Sequence, residues 1–226
     1  MLGVDACKAG WVGICLDGSG HFHSAYLSRG IAELVTSLAL PVSVVGVDMP
    51  IGLPDSGERS ADALARKRIG NLSSSVFMVP TRAALAAQHH LEASVINKSF
   101  DGGKGISIQA WGLKSKLLEV DAWVRAAPGV RVVEVHPEVS FAAIGAASLA
   151  TSKKSWTGIA ARHQLLGSVG IDIPDQLGAA GQAAADDVLD AGAVAWSAFR
   201  VSRGIAVSLP DEPQVFSDGL RAAIWY

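Results

Sequence analysis

The sequence predicts an α/β fold built on a mixed β-sheet, in which three antiparallel strands come first, parallel strands follow, and helices lie on the flanks. Three observations carry this prediction. Short apolar runs near the start are separated by tight turns, later apolar runs show no polar alternation, and several longer segments place apolar residues at helical spacing. One domain over residues 1–226 is expected, because single α/β domains commonly reach this length.

The first part of the chain is expected to form an antiparallel unit. Its predicted strands are residues 2–7, 11–16 and 21–27, and its turns are residues 8–10 and 17–20. A helix at residues 31–40 should follow, with Ser28 as its cap and Pro41 at its end.

Two apolar runs without polar alternation are typical of parallel strands that are buried on both faces. The run at residues 42–47 ends at Asp48. The run at residues 131–135 carries Glu134 and brings His136 and Glu138 to its carboxyl end. Both predicted strands therefore deliver ionisable side chains to a strand end.

Helical spacing and caps predict the remaining elements. Helices are expected from about Ser60 and over residues 82–90, 108–125, 141–147, 158–169 and 183–203. Residues 95–105 are polar and contain glycines, so a mobile loop is expected there. All six tryptophans are expected in the core, since Trp111, Trp123 and Trp196 occupy apolar helical positions.

The composition excludes several classes of protein. Hydrophobic residues make up 50% of the chain and charged residues 18%, which excludes a disordered chain. No apolar run reaches the ~18 residues of a membrane helix, and the first residues do not resemble a secretory signal. We therefore expect a cytoplasmic protein without membrane contact. Cys7 and Cys15 are too few for a disulfide framework or a zinc site and are expected to be reduced and buried.

The charge distribution bears on nucleic-acid binding. A formal net charge of −2 argues against coating nucleic acid by bulk electrostatics. Residues 58–116 contain nine basic and four acidic residues, so this segment carries +5 and the rest of the chain −7. Lys8, Arg66 and Arg82 are candidates for binding a substrate phosphate, although lone basic residues near carboxylates more often form ion pairs.

Carboxylates at strand ends are the main chemical signal. Asp5, Asp48 and Glu134 fall at or near the ends of different apolar strands, and Asp187 and Asp190 lie one turn apart on one helix. A carboxylate in apolar surroundings is costly unless it is paired, protonated or bound to a cation. A group of such acids suits Mg²⁺ or Mn²⁺, and two such ions can promote hydrolysis of a phosphodiester.

Each of these residues also has a structural interpretation. Asp5 could close a turn, and Asp48 could cap the loop that follows it. Acids early in a helix, such as Asp187 and Asp190, are stabilised by the macrodipole without any function. A histidine in the position of His136 is more often a hydrogen-bonded structural residue than a general base.

The order of these features resembles the ribonuclease H-like fold, in which the acids of strands one and four meet those of the last helix. More narrowly, five motifs look like those of a domain-of-unknown-function family that is predicted to contain ribonuclease H-like nucleases. The motifs are residues 3–11, 48–54, 74–77, 134–141 and 186–191. The resemblance runs from Met1 to Tyr226.

This resemblance implies a metal-dependent nuclease that hydrolyses DNA or RNA with water as the nucleophile and Mg²⁺ or Mn²⁺ as the cofactor. Residues 187–191 are similar to the Asp-x-x-Asp-Ala block of junction resolvases. The resemblance therefore implies Asp187 and Asp190 as metal ligands beside Asp5 and Asp48. It also implies catalytic roles for Asp5, Asp48 and Asp187.

Glu134 and His136 are assigned to catalysis only through the narrower family. Two alternatives to a nuclease stay open. One is an inactive binding or regulatory protein that keeps the fold, and the other is a phosphohydrolase acting on a small nucleotide in the same cleft. A nuclease needs an open, basic groove beside the acids, whereas a small-ligand enzyme needs a closed pocket. The sequence also leaves open whether the protein forms a homodimer.

Overall fold

A mixed β-sheet forms the centre of the computed structural model, which describes residues 1–100 and 102–226. Its strands are β1 (Leu2–Cys7), β2 (Gly10–Leu16), β3 (Phe22–Ser28), β4 (Val44–Val47), β5 (Arg131–Glu134), β6 (Ser208–Val215) and β7 (Arg221–Trp225). Their order across the sheet is β3-β2-β1-β4-β5-β7-β6. The predicted α/β class with a mixed sheet is confirmed.

Helices lie on both faces of this sheet. They are α1 (Ile31–Thr36), α2 (Ser60–Ile69), α3 (Arg82–Leu85), α4 (His90–Phe100), α5 (Ile108–Gly112), α6 (Lys114–Arg125), α7 (Pro137–Ile144), α8 (Trp156–Ser168) and α9 (Ala185–Ser202). Two short 3₁₀ segments occupy Gly70–Ser75 and Gly178–Gln182. Across the described ranges, none of the helices has both the length and the apolar character that crossing a membrane requires.

Strand pairing aligns several carboxyl ends at one edge of the sheet. β1 pairs antiparallel with β2 and parallel with β4, and β4 pairs parallel with β5. In this register Val4 lies beside Val47, and Val47 lies beside Glu134. The amide of Asp48 extends the ladder by donating to the carbonyl oxygen of Val4 at 2.9 Å. Residues that follow β1, β4 and β5 therefore meet at the same edge.

Two glycines let α9 lie directly on the sheet. A β-carbon at Gly3 would be 2.0 Å from the backbone nitrogen of Ala195 and 2.3 Å from the carbonyl oxygen of Ala191. A β-carbon at Gly46 would be 3.0 Å from the carbonyl oxygen of Val194. Because neither contact leaves room for a side chain, glycine at these positions fixes how closely α9 approaches β1 and β4.

The opposite face of the sheet packs against α1 and α6. Val45 and Val47 on β4 belong to the same buried cluster as Leu34 on α1 and Leu117 on α6. Alternation along each strand therefore sends one set of side chains towards α9 and the other towards α1 and α6. Only acidic side chains on the same face of the sheet can therefore lie close together.

Several predicted helix boundaries were wrong. α1 ends at Thr36 rather than at residue 40, and its N-cap is Gly30. Ser28 is the last residue of β3, and its hydroxyl donates to Glu33 Oε2 at 2.6 Å. The helix predicted at 82–90 divides into α3 and α4, and the helix predicted at 108–125 divides at Leu113 into α5 and α6. The helix predicted from residue 141 begins at Pro137, a favoured first helical residue.

The loop predicted at 95–105 was wrong for residues 95–100, which belong to α4. Tertiary contacts account for this. The buried Asn97 side chain accepts from the amide of Thr81 at 2.9 Å and donates to the carbonyl oxygen of Lys104 at 3.0 Å. A polar sequence is thus held in a helix by contacts that local spacing does not reveal. Asp101 lies outside the described residues.

Three further expectations were wrong or incomplete. Trp156 is 84% exposed and is therefore not a core residue. Cys7 is only half-buried, although Cys15 is buried, and both are free thiols. The strands β6 and β7 follow the last predicted element and were not predicted. β6 contains Pro210 and has an irregular register between Leu209 and Gln214, so its sequence does not show a strand pattern. Because β6 is an edge strand, it tolerates proline.

Candidate metal centre

Three aspartates from different elements converge at the carboxyl edge of the sheet. Asp5 lies on the same face of β1 as Gly3, and Asp48 follows β4 on the same face as Gly46. α9 covers this face and contributes Asp190, the residue next to the helix turn that touches Gly3. One carboxylate oxygen from each aspartate lies within 4.8 Å of the others. These three acids, the carboxylate triad, could hold a metal ion.

The triad is poorly solvated. Asp5 and Asp190 are buried and Asp48 is half-buried. Burial raises the pKa of Asp5 well above its ordinary value, and the carboxylates of Asp48 and Asp190 raise it further. Burial and the charge of Asp190 raise the pKa of Asp48 to about 8. The triad therefore favours either protons or a cation over three bare charges.

Few protein groups compensate the triad. Asp5 Oδ1 accepts from the amide of Ala6 at 2.7 Å. Asp190 Oδ2 accepts from the Lys153 ammonium at 2.5 Å, while Asp190 Oδ1 is buried and has no hydrogen-bond partner among the described residues. Burial raises the pKa of Asp190 to about 6, and Lys153 opposes that rise. Asp190 thus keeps one buried oxygen available to a ligand.

Glu138 adds a second unpartnered carboxylate oxygen to the same cleft. Its Oε1 accepts from Nη2 of the fully buried Arg162 at 2.5 Å. Its Oε2 is buried without a partner in the described part of the chain. Repulsion from Glu138 contributes to the raised pKa values of Asp48 and Asp190, which places this charge near the triad.

Glu134 faces the other side of the sheet. Its neighbours Val133 and Val135 pack towards α9, so the Glu134 side chain points away from that helix. It accepts from the amide of Ile51 at 2.8 Å and from the buried guanidinium of Arg59. Glu134 therefore anchors the loop after β4, although its charge still raises the pKa of Asp48.

His136 lines the cleft as the N-cap residue of α7. Its Nε2 is 3.5 Å from the carbonyl oxygen of Ser75, and its Nδ1 is buried with no partner within residues 1–100 and 102–226. Burial lowers the pKa of His136 to about 4, so the imidazole is neutral at neutral pH. His136 can offer a hydrogen-bonding nitrogen to a ligand in the cleft.

Asp187 lies one helical turn before Asp190 and is half-buried. Burial raises its pKa, and the charge of Asp186 adds to that effect. Its charge also contributes to the raised pKa of Asp5. Asp187 is therefore near the triad but is not one of the three acids whose oxygens converge.

The three basic residues nominated for phosphate binding do not line the cleft. Lys8 is exposed in the β1–β2 turn. Arg66 donates through Nε and Nη2 to the carbonyl oxygen of Val76, at 2.8 and 2.6 Å. Arg82 donates to both carboxylate oxygens of Asp121 and to Asp218 at 2.7 Å. Internal contacts thus occupy Arg66 and Arg82.

Lys153 and Glu138 are the cleft residues to which the sequence assigned no function. Lys153 lies before α8 in a segment without a periodic pattern, and only the folded chain brings its ammonium to Asp190. Glu138 lies in one of the motifs and close to the end of a predicted strand, where a role in ordering the loop after Pro137 would also account for it. Nothing in the local sequence distinguishes Lys153 from a surface charge.

The lining of the cleft combines ionisable and apolar side chains. About 780 Å³ of atom-free space, part of it open solvent, lies beside the triad. Polar groups of Glu138, His136 and Lys153 surround the acids. The apolar part of the lining comprises Met49, Val76, Phe77, Leu113 and Ile224. A ligand that contacts the acids can therefore also contact apolar side chains.

Fold and site together define an α/β protein with a carboxylate triad at the edge of a mixed sheet. The chain belongs to the family described as protein of unknown function DUF429, whose model matches residues 3–215. Comparisons with curated proteins and with solved structures found no match.

Proposed function

We propose that this protein is a nuclease that hydrolyses phosphodiester bonds with Mg²⁺ or Mn²⁺ held by Asp5, Asp48 and Asp190. The observation that carries the proposal is the convergence of three carboxylate oxygens within 4.8 Å in a poorly solvated cleft. Their elements, the first strand, the strand parallel to it and the long late helix, correspond to those that the ribonuclease H-like resemblance implies. That correspondence supports hydrolysis of nucleic acid over other uses of a carboxylate site.

The donor set fits a hard divalent cation. All available ligands are oxygens, and the described residues place no cysteine or histidine in the triad. The unpartnered oxygens of Asp190 and Glu138 add capacity for a cation or its water ligands. When bound, such an ion supplies Lewis-acid activation of water and stabilises charge on the leaving oxygen.

The surrounding residues would position the substrate. Lys153 carries the cationic group nearest the triad and can contact a phosphate once a metal ion occupies Asp190. Neutral His136 can hydrogen-bond to a substrate oxygen or to water through its unpartnered nitrogen. The Arg162 guanidinium fixes the position of Glu138 by donating a hydrogen bond to its Oε1. Glu134 acts as an anchor for the loop that follows Asp48.

Cleavage assays test this proposal. Purified protein is incubated with labelled single-stranded, duplex and branched DNA and RNA in Mg²⁺ or Mn²⁺. Asp5→Asn and Asp190→Asn should abolish cleavage, whereas Asp175→Asn, an exposed acid outside the cleft, should not. Absence of cleavage by the folded wild-type protein on every substrate would reject the nuclease.

A phosphohydrolase acting on a small nucleotide is the second candidate. It is favoured by the internal pairing of Arg66 and Arg82, which removes two basic contacts that a long nucleic acid would use. Apolar residues of the lining, such as Phe77 and Leu113, could contact one base. Release of inorganic phosphate from nucleoside phosphates, lost in Asp5→Asn and without cleavage of oligonucleotides, would establish this candidate. An inactive binding protein would cleave neither substrate and would tolerate Asp5→Asn.

A further inference from the structure

Trp156 is an exposed aromatic residue that follows Lys153, a residue of the cleft lining, by three positions. Its side chain is 84% exposed, although tryptophan is the largest apolar side chain and is normally well covered. It is the first residue of α8. Since three residues span at most about 10 Å, the backbone at Trp156 lies close to that of the lysine that reaches Asp190.

The segment that carries Trp156 is firmly held. Ser155 caps α8 by accepting from the amide of Gly158 at 3.1 Å, and its hydroxyl donates to the carbonyl oxygen of Ser152 at 2.8 Å. A β-carbon at Gly158 would be 1.9 Å from that same carbonyl oxygen, so the turn folds tightly over the helix start. The exposure of Trp156 is therefore not explained by a loose loop.

Two contacts tie this turn to the candidate metal centre. Lys153 bonds to Asp190, and the buried Arg162 donates to the carbonyl oxygen of Thr151 at 3.2 Å and to Glu138. Lys154, between Lys153 and Trp156, is exposed. The turn that carries the exposed Lys154 and Trp156 is thus anchored to residues of the candidate metal centre.

We propose that Trp156 stacks on a nucleobase of a single-stranded nucleic acid whose backbone passes Lys154 and enters the cleft. This inference rests on the proposed nuclease function and specifies its substrate as single-stranded. Bases of any sequence can stack on an indole ring, and a neighbouring lysine attracts the backbone phosphate. The bases of a continuous duplex are already stacked on one another and cannot use this ring.

Binding measurements that do not depend on cleavage test the inference. Fluorescence anisotropy, with Ca²⁺ in place of Mg²⁺, measures the affinity for two labelled oligonucleotides. One is a thymidine oligonucleotide of about 12 nucleotides, a length within the usual range of single-strand binding sites, and the other is an abasic oligonucleotide of equal length. Gel analysis after each titration verifies that the oligonucleotide is intact. The proteins are wild type, Trp156→Ala, Trp156→Phe and Ile108→Ala. Ile108 is a matched control because it is 79% exposed and does not line the cleft.

Trp156→Ala should weaken binding of the thymidine oligonucleotide roughly 5- to 150-fold, the range for losing one base–aromatic stack. Trp156→Phe should lose less affinity, and Ile108→Ala none. The abasic oligonucleotide should bind wild type and Trp156→Ala equally. Lys154→Ala should reduce the slope of log Kd against log salt concentration by about 0.7.

Three results would overturn the inference: no binding by wild type, unchanged thymidine affinity in Trp156→Ala, or equal loss for both oligonucleotides. Failure of the nuclease proposal gives a different result. Wild type would then bind with the expected dependence on Trp156 but cleave nothing. Conversely, cleavage with affinity unaltered in Trp156→Ala would retain the nuclease and reject the stacking site.

Discussion

The ammonium of Lys153 lies 2.5 Å from Oδ2 of Asp190, so a cation of the protein itself already contacts the carboxylate triad. Asp190 is fully buried, whereas the Lys153 side chain is 34% exposed and can turn towards solvent. Even a divalent ion that binds the unpartnered Oδ1 of Asp190 competes with this ammonium, because the two cations repel each other. Lys153 should therefore stabilise the metal-free protein and weaken metal binding.

Lys153→Met tests this competition. Without divalent ions, we expect the free energy of unfolding of Lys153→Met to be about 2 kcal/mol lower than that of wild type. This loss is smaller than the usual cost of breaking a fully buried ion pair, because Lys153 is partly solvated. Mn²⁺ should bind about tenfold more tightly, equivalent to ~1.4 kcal/mol. Thermal unfolding and Mn²⁺ titration calorimetry measure both effects. Lys67→Met, which replaces an exposed lysine on α2, is the control. Weaker Mn²⁺ binding by Lys153→Met than by wild type would contradict the prediction.

Asp5→Asn should distinguish the effect of repulsion within the triad on stability from the effect of metal binding on stability. Burial and neighbouring acids favour the protonated form of Asp5, and the asparagine oxygen can still accept from the Ala6 amide. The metal-free variant should therefore be at least as stable as wild type. Mn²⁺ at 100 times its Kd should stabilise wild type by about 2.7 kcal/mol and leave the variant unchanged. If thermal unfolding shows the same Mn²⁺ shift in both proteins, the ion binds elsewhere.

Gly3→Ala should show that packing of α9 maintains the triad. The added β-carbon would meet backbone atoms of Ala191 and Ala195, which cannot rotate away as side chains can. We expect a loss of about 3 kcal/mol or more, at the upper end for overpacking, and a melting temperature about 10 °C lower. Gly18→Ala is the control, since no described atom lies within 4 Å of the added carbon. A Gly3→Ala protein with wild-type melting temperature would refute the close approach.

Asp62 should make the protein less stable as the pH rises. Burial raises the pKa of Asp62 to about 6, while the guanidinium of Arg59 opposes the rise. The folded state therefore holds a proton between about pH 4 and 6 that the unfolded state has released, so the free energy of unfolding falls as the pH passes through this window. Relative to Asp62→Asn, wild type should lose about 2 kcal/mol between pH 4 and pH 8. Urea unfolding at each pH measures the difference, and parallel curves would contradict it.

The carboxylates near strand ends could be predicted from the sequence, because their positions follow from local patterns. Asp5 lies near the end of β1 and Asp48 directly follows β4, and parallel strands bring such residues to one edge. Glu134 met the same criterion but faces away from α9, because the next residue of a strand points to the opposite face. Assigning faces required the strand register, which tertiary packing sets.

The acid contributed by α9 could not be resolved from spacing alone. Asp187 and Asp190 share a helical face, so the motif presents them as equals. Which of them reaches Asp5 depends on where the helix rests on the sheet, and that is set by Gly3 beneath Ala191 and Ala195. Lys153 joins the site through a contact 37 residues distant in the chain, which no local pattern indicates.

The strand order carries a consequence for synthesis on the ribosome. β7 lies between β5 and β6, and β6 pairs only with β7 among the described strands. As the chain emerges, the five strands from β3 to β5 can assemble first, leaving the backbone groups of β5 as an open edge. That edge stays available to other nascent chains until residues 221–225 have been made, and a chaperone that shields it would act during this interval.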